Sequence, residues 1–141
     1  MSKQRIIIIV FALIGILGTF LPWVKFSAGG ILCGTAGDGW ITLGLYSLVI
    51  VFSLITKDFK SDLSIGWLIG VIIPSLLSSL IGIWKIFTFR DMGQEKFLYV
   101  KKMSDIFTVQ YGIYVVSAAG VLIVVFAFCF KSKKEKTVSQ D

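Results

Sequence analysis

At 141 residues and 15.6 kDa the chain is one domain at most, and its composition is not that of a soluble one. Apolar residues make up 56%, mean hydropathy is +0.89, and only 16% of residues are charged, against about 25% in ordinary soluble domains. The formal net charge of +6 flanks long apolar runs, where anionic lipid and topology explain it and nucleic acid does not.

The first apolar run goes from Ile6 to Val24. At about 1.5 Å per residue it reaches roughly 28 Å, close to the hydrocarbon thickness of about 30 Å. A cleavable signal core is shorter and ends in small residues, whereas Pro22-Trp23-Val24-Lys25-Phe26 offers no cleavage site. Leu32 before Cys33 likewise makes a poor lipoprotein site. A retained helix is expected.

Lys25 to Gly39 holds five glycines in fifteen residues, which imply tight turns, positive φ angles or close backbone approach. No GxxxxGK[ST] is present, so this is not a phosphate loop; a short hairpin or re-entrant segment is expected. Asp38 stands where a carboxylate caps a helix and suits its dipole, ahead of a second span from Trp40 to Thr56. Ligand binding by Asp38 and neighbouring carbonyls is the alternative.

The third run reads Leu63 to Phe89, with Ser61 or Asp62 as cap. Lys85 ends its hydrocarbon part near Trp84, the ammonium extending to the interface. Gly66, Gly70, Pro74, Ser78 and Gly82 recur at intervals of four. Each step turns about 400°, so the stripe drifts only about 40° and presents a slowly winding seam without bulk. Such seams let helices approach closely in lipid, within the bundle, between copies or against a partner helix. Gly15, Gly18, Gly112 and Gly120 are available to face it. Pro74 frees a carbonyl near Gly70, where a kink is expected.

The segment from Arg90 to Thr108 mixes charge with apolar residues and should cap the bundle or lie along the membrane surface. The fourth span runs from about Val109 to Phe130 and stops at a Lys-rich stretch, with residues 135–141 a short disordered tail. In lipid a lone strand leaves its backbone unsatisfied, so these Ile/Val-rich runs become helices.

With both termini in the cytoplasm, eight basic residues lie inside and six outside. Lys3 and Arg5 at the first span and the cluster at 131–136 agree with that orientation. Trp23, Trp40, Trp67 and Trp84 fall at span ends, where an aromatic belt places them. Cys33 and Cys129 then lie at opposite surfaces, too far apart for a disulfide. Within the spans no Asp, Glu, Arg or His appears, and no Lys except Lys85 near an end, which argues against a proton-coupled exporter.

Leu21-Pro22-Trp23, a Gly-rich loop, and Gly37-Asp38-Gly39-Trp40 resemble a pattern in small uncharacterised bacterial membrane proteins, over about residues 15–55. That resemblance implies no activity. The topology is also similar to that of claudin-like four-span proteins, whose first outer segment carries tryptophans and a cysteine pair. This loop is far shorter and has one cysteine, so their extracellular sheet is not expected here.

The expectation is an all-α chain: an integral membrane four-helix bundle in a bacterial plasma membrane, both termini cytoplasmic. Residues 1–134 form the single domain, with spans at about 6–24, 40–56, 63–84 and 109–130. The expected role is non-catalytic, as an accessory, interaction or immunity-type component acting through its outer loops and the span-three seam. Pro22, Trp23, Asp38, Gly39 and Trp40 are the outer-surface binding candidates. No catalytic residue, metal or cofactor is expected; partners are the bilayer, a membrane protein or a second copy. The alternative is a small oligomeric channel or transporter, for which Ser75, Ser78 and Ser79 make a thin polar path.

Overall fold

The structure is a computed structural model that describes residues 2–26, 29–55, 63–92 and 107–138. It is mostly helical, with helices α1 (Lys3–Phe20), α2 (Gly39–Leu54), α3 (Ile65–Met92) and α4 (Tyr111–Val138). Three of these are long and apolar enough to cross a membrane; α2 is shorter. Its 16 residues reach about 24 Å, somewhat less than a typical hydrocarbon core.

The helices pack in a ring, α1 on α2, α2 on α3, α3 on α4 and α4 back on α1. Three short strands close one end: β1 (Pro22–Phe26), β2 (Ile31–Cys33) and β3 (Phe107–Val109), in the order β2-β1-β3. Both pairings are antiparallel, and a 3-10 turn over Gly34–Ala36 leads from β2 toward α2. The expectation of an all-α chain therefore fails at this end. β1 pairs with β2 and, from far along the chain, with β3, and the sheet contains no cysteine pair.

Pro22 also corrects the first span. Proline disfavours helical backbone in the residue before it, and Leu21 is extended at φ −72°, ψ 158°. The helix ends at Phe20, four residues before the expected Val24, and the chain continues as β1. At the other end α1 starts early, because the Ser2 hydroxyl accepts the Arg5 amide and caps it. Gln4 and Arg5 are thereby drawn into the helix.

Midway along the ring, Tyr46 of α2 meets α4 and α1. Its hydroxyl donates to the Val116 carbonyl of α4 at 2.5 Å. A Cβ on Gly15 of α1 would stand 2.6 Å from its ring, so only glycine leaves room for it. Ser79 donates to the Ser117 carbonyl, and Ser117 to its own helix at Ile113. On either side the core is apolar, with Ile8, Ala12, Val49, Val71 and Ile123 fully buried or nearly so.

At the end carrying the termini, Gln4 spans two helices and a helix start. Its amide nitrogen donates to the Ala127 carbonyl, and its oxygen accepts the Leu63 amide. Beside it Arg5 is only 1% exposed. α4 runs on to Val138, past its expected end at Phe130 and into the segment expected to be disordered. Lysine and glutamate favour helix, and lysines near a helix C-terminus suit its dipole. The expected cap at Ser61 or Asp62, most of the segment 90–108 and the last three residues lie outside the described residues.

Candidate functional site

The sequence candidates gather at the sheet end, where Trp23 is the centrepiece. In β1 the register slips between Pro22 and Val24, which pair with Cys33 and Leu32. Trp23 is the extra residue of that bulge. A bulge re-aims a side chain, so Trp23 and Val24 are both buried although consecutive strand residues normally face opposite ways. Trp23 is 5% exposed and its indole Nε1 donates to the Gly18 carbonyl at 3.0 Å. The aromatic-belt expectation fails for this residue: it plugs the helix ring instead of facing lipid.

Glycines make room for the plug. A Cβ on Gly34 would lie 2.5 Å from both the Trp23 ring and the Thr19 carbonyl. One on Gly112 would lie 2.7 Å from the Pro22 carbonyl and 2.9 Å from the Trp23 ring, and one on Gly39 would run into the Gly34 backbone. The Gln110 amide donates to the Trp23 carbonyl at 2.8 Å, tying β1 to the start of α4. The Leu-Pro-Trp and Gly-Asp-Gly-Trp segments thus lock one corner of the fold. Of the five outer-surface candidates, Trp23 and Gly39 are buried in that lock.

Asp38 and Trp40 behave differently. Asp38 holds the N-cap position of α2, yet its side chain makes no capping bond. It forms an ion pair with Lys85 of α3, which overturns the capping expectation. With ψ near 0° at Asp38, the backbone is already helical, whereas a capping residue adopts extended backbone. Trp40 and Trp84 are 62% and 69% exposed on the helix surface, as belt residues are. Trp67 is half-buried against Phe52, ring centres 5.9 Å apart.

Two concavities share the Asp38–Lys85 pair. One, about 140 Å³, lies under the sheet between Trp23, Leu32, Cys33, Gly34 and Phe89. The other, about 380 Å³, runs along the outside of α2 and α3 past Ile41, Leu80 and Trp84. Lys85 as the partner of Asp38 escaped sequence reasoning, because nothing local links positions that far apart.

Along the seam of α3, Gly82 faces Ser117 so closely that a Cβ would collide with the hydroxyl. Pro74 and Ser78 are buried, Gly70 faces the Phe52 ring, and Gly66 meets open space. Most of the stripe is consequently occupied by this chain's own helices. Among the described residues no three His, Cys, Asp or Glu side chains come together, and Cys33 and Cys129 are both free thiols.

No protein-family model, curated protein or solved structure matches the chain.

Proposed function

We propose that the chain is a bacterial plasma-membrane protein with four membrane-spanning helices and both termini cytoplasmic. It acts without catalysis, as an accessory, interaction or immunity-type component that engages a membrane-protein partner at the sheet end. One observation carries this reading: among the described residues β2 is an edge strand with Ile31 and Leu32 exposed, held on a cap braced by the Trp23 plug. An edge strand offers unpaired backbone groups to a partner strand, and its exposed side chains supply selectivity. Rigidity matters because a preorganised edge loses little entropy on binding. The helical seam is not assigned to the partner, since Ser78 and Gly82 are covered within the chain.

The test is copurification from native membrane in mild detergent, comparing wild type with Ile31→Lys/Leu32→Lys. A defined partner retained by the wild type and lost by an equally abundant variant supports the reading. Identical complexes from both chains refute it. A reporter fused after Asp141 should behave as cytoplasmic; its export would overturn the orientation.

A further inference from the structure

We infer that the Asp38–Lys85 pair and the two concavities meeting at it form a binding site for an aminophospholipid of the adjoining leaflet. The headgroup occupies the pair and the cavity beneath the sheet, and an acyl chain follows the groove between α2 and α3.

The shape is that of a split site. The groove of about 380 Å³ is bordered by Ile41, Leu80 and Trp84, all strongly exposed, on helices apolar enough for a bilayer. Its volume lies within the range of small-molecule pockets, and such pockets combine apolar walls with a few polar groups that orient the ligand. Here the polar groups are gathered at one end. Among the described residues, Asp38 and Lys85 are the only charged side chains lining either concavity.

Charge selects the ligand. The site offers one cation and one anion side by side, so a headgroup with one of each can exchange partners without leaving a charge opposed. The lipid phosphate meets Lys85 and a primary ammonium donates to the Asp38 carboxylate, both as charge-assisted hydrogen bonds. A choline headgroup has no N–H to donate, and a glycerol headgroup brings phosphate but no ammonium. The existing pair is easily opened, because its partners are 29% and 44% exposed and surface pairs hold weakly. Trp84 beside the groove provides the flat amphipathic surface that favours the interfacial region.

The full chain in detergent is incubated with dioleoyl phosphatidylethanolamine, phosphatidylcholine or phosphatidylglycerol, and retained lipid is counted by native mass spectrometry. Wild type should retain one phosphatidylethanolamine at least about fivefold better than either competitor, roughly 1 kcal/mol of preference. Asp38→Asn/Lys85→Gln should reduce the three lipids to equal retention. Equal retention by the wild type, or a preference that survives in the double variant, would overturn the inference. Should the double variant fail to fold, the wild type still decides. Acyl-brominated phosphatidylethanolamine should quench its tryptophan fluorescence more than brominated phosphatidylcholine at equal mole fraction. Trp84→Phe should remove that excess. Equal quenching by the two lipids counts against the site as firmly as equal retention.

Discussion

Glycine-to-alanine substitutions at four helical positions should fall into a graded series set by what the new methyl meets. At Gly120 of α4 a Cβ would lie 2.6 Å from the Ser75 carbonyl, 2.9 Å from Ser79 Cβ and 3.2 Å from the Tyr46 hydroxyl. The first of these is backbone and cannot rotate away, so α3 and α4 must separate; overpacking of this kind costs about 1–3 kcal/mol. At Gly82 the obstacle is the Ser117 hydroxyl, which can turn. Turning breaks its bond to the Ile113 carbonyl of its own helix, and a hydrogen bond of this kind contributes a net of about 0.5–1.5 kcal/mol. A total near 1 kcal/mol is expected there. At Gly44 and Gly66 a Cβ would meet nothing within 4 Å beyond its own helix turn among the described residues, and alanine is the better helix former by up to about 1 kcal/mol. Those two variants should match or exceed wild type. Thermal unfolding in detergent, followed by far-ultraviolet circular dichroism, reads the whole series. Equal midpoints for Gly120→Ala and Gly44→Ala would refute the close approach of α3 and α4.

Trp23 should resist quenching by aqueous acrylamide, so Trp23→Phe should leave the accessible fraction of tryptophan emission almost unchanged in absolute terms; its indole is buried under the sheet. Trp23→Ala should lower stability by about 3–5 kcal/mol, the range for large-to-small core changes. Asp38→Asn should shift stability by no more than about 1 kcal/mol, since its ion pair is partly exposed and the cap is not in use; a larger loss would mean that the pair braces α2 against α3. Arg5→Met should match or exceed wild type in thermal stability. Among the described residues the guanidinium donates one long bond, 3.5 Å to the Ser53 carbonyl, and its Nε has no partner. An apolar side chain of similar volume often replaces a poorly satisfied buried charge without loss. A marked fall would show that Arg5 holds a compensating anion.

The helices were legible because composition and run length suffice to mark them, whatever their neighbours. Their ends were less so. Pro22 contained the information that α1 stops at Phe20, through its effect on Leu21, but run length alone carried the helix on to Val24. Trp23 was misplaced for a different reason. Its inward turn depends on a bulge set by pairing with Cys33 and Leu32, and hydropathy does not register strand pairing. β3 pairs with β1 from more than eighty positions away, and Asp38 with Lys85 from nearly fifty. Such long-range partners leave no local trace in a single sequence. Gly34, Gly39 and Gly112 did leave one, as glycines crowded at span ends, and close approach was the correct reason for the first two. The charge of Arg5 marks topology, whereas its burial follows from a helix start only three residues upstream at Ser2, which run length does not register.

The channel alternative can be weighed against the same packing. A path through one chain would have to link the polar groups around Gln4 and Arg5 with the hydroxyls around Tyr46. Between those levels stand Ile8 and Ala12 of α1, Val49 of α2, Val71 of α3 and Ile123 of α4, all buried in one cluster. The hydroxyls on the way bond to helix carbonyls: Ser53 to Val49 and Ser75 to Val71. A side chain returned to its own helix in this way offers little to replace an ion's hydration shell. At the far end Trp23 blocks the ring. A conduction path would therefore need to lie between copies, on faces that present Leu, Ile and Phe. Purified chain in sealed phospholipid vesicles should accordingly show no potassium or proton flux above empty vesicles under an imposed gradient. Flux that rises with protein density and is abolished by Ser78→Leu would place a polar path through α3 and refute the closed core.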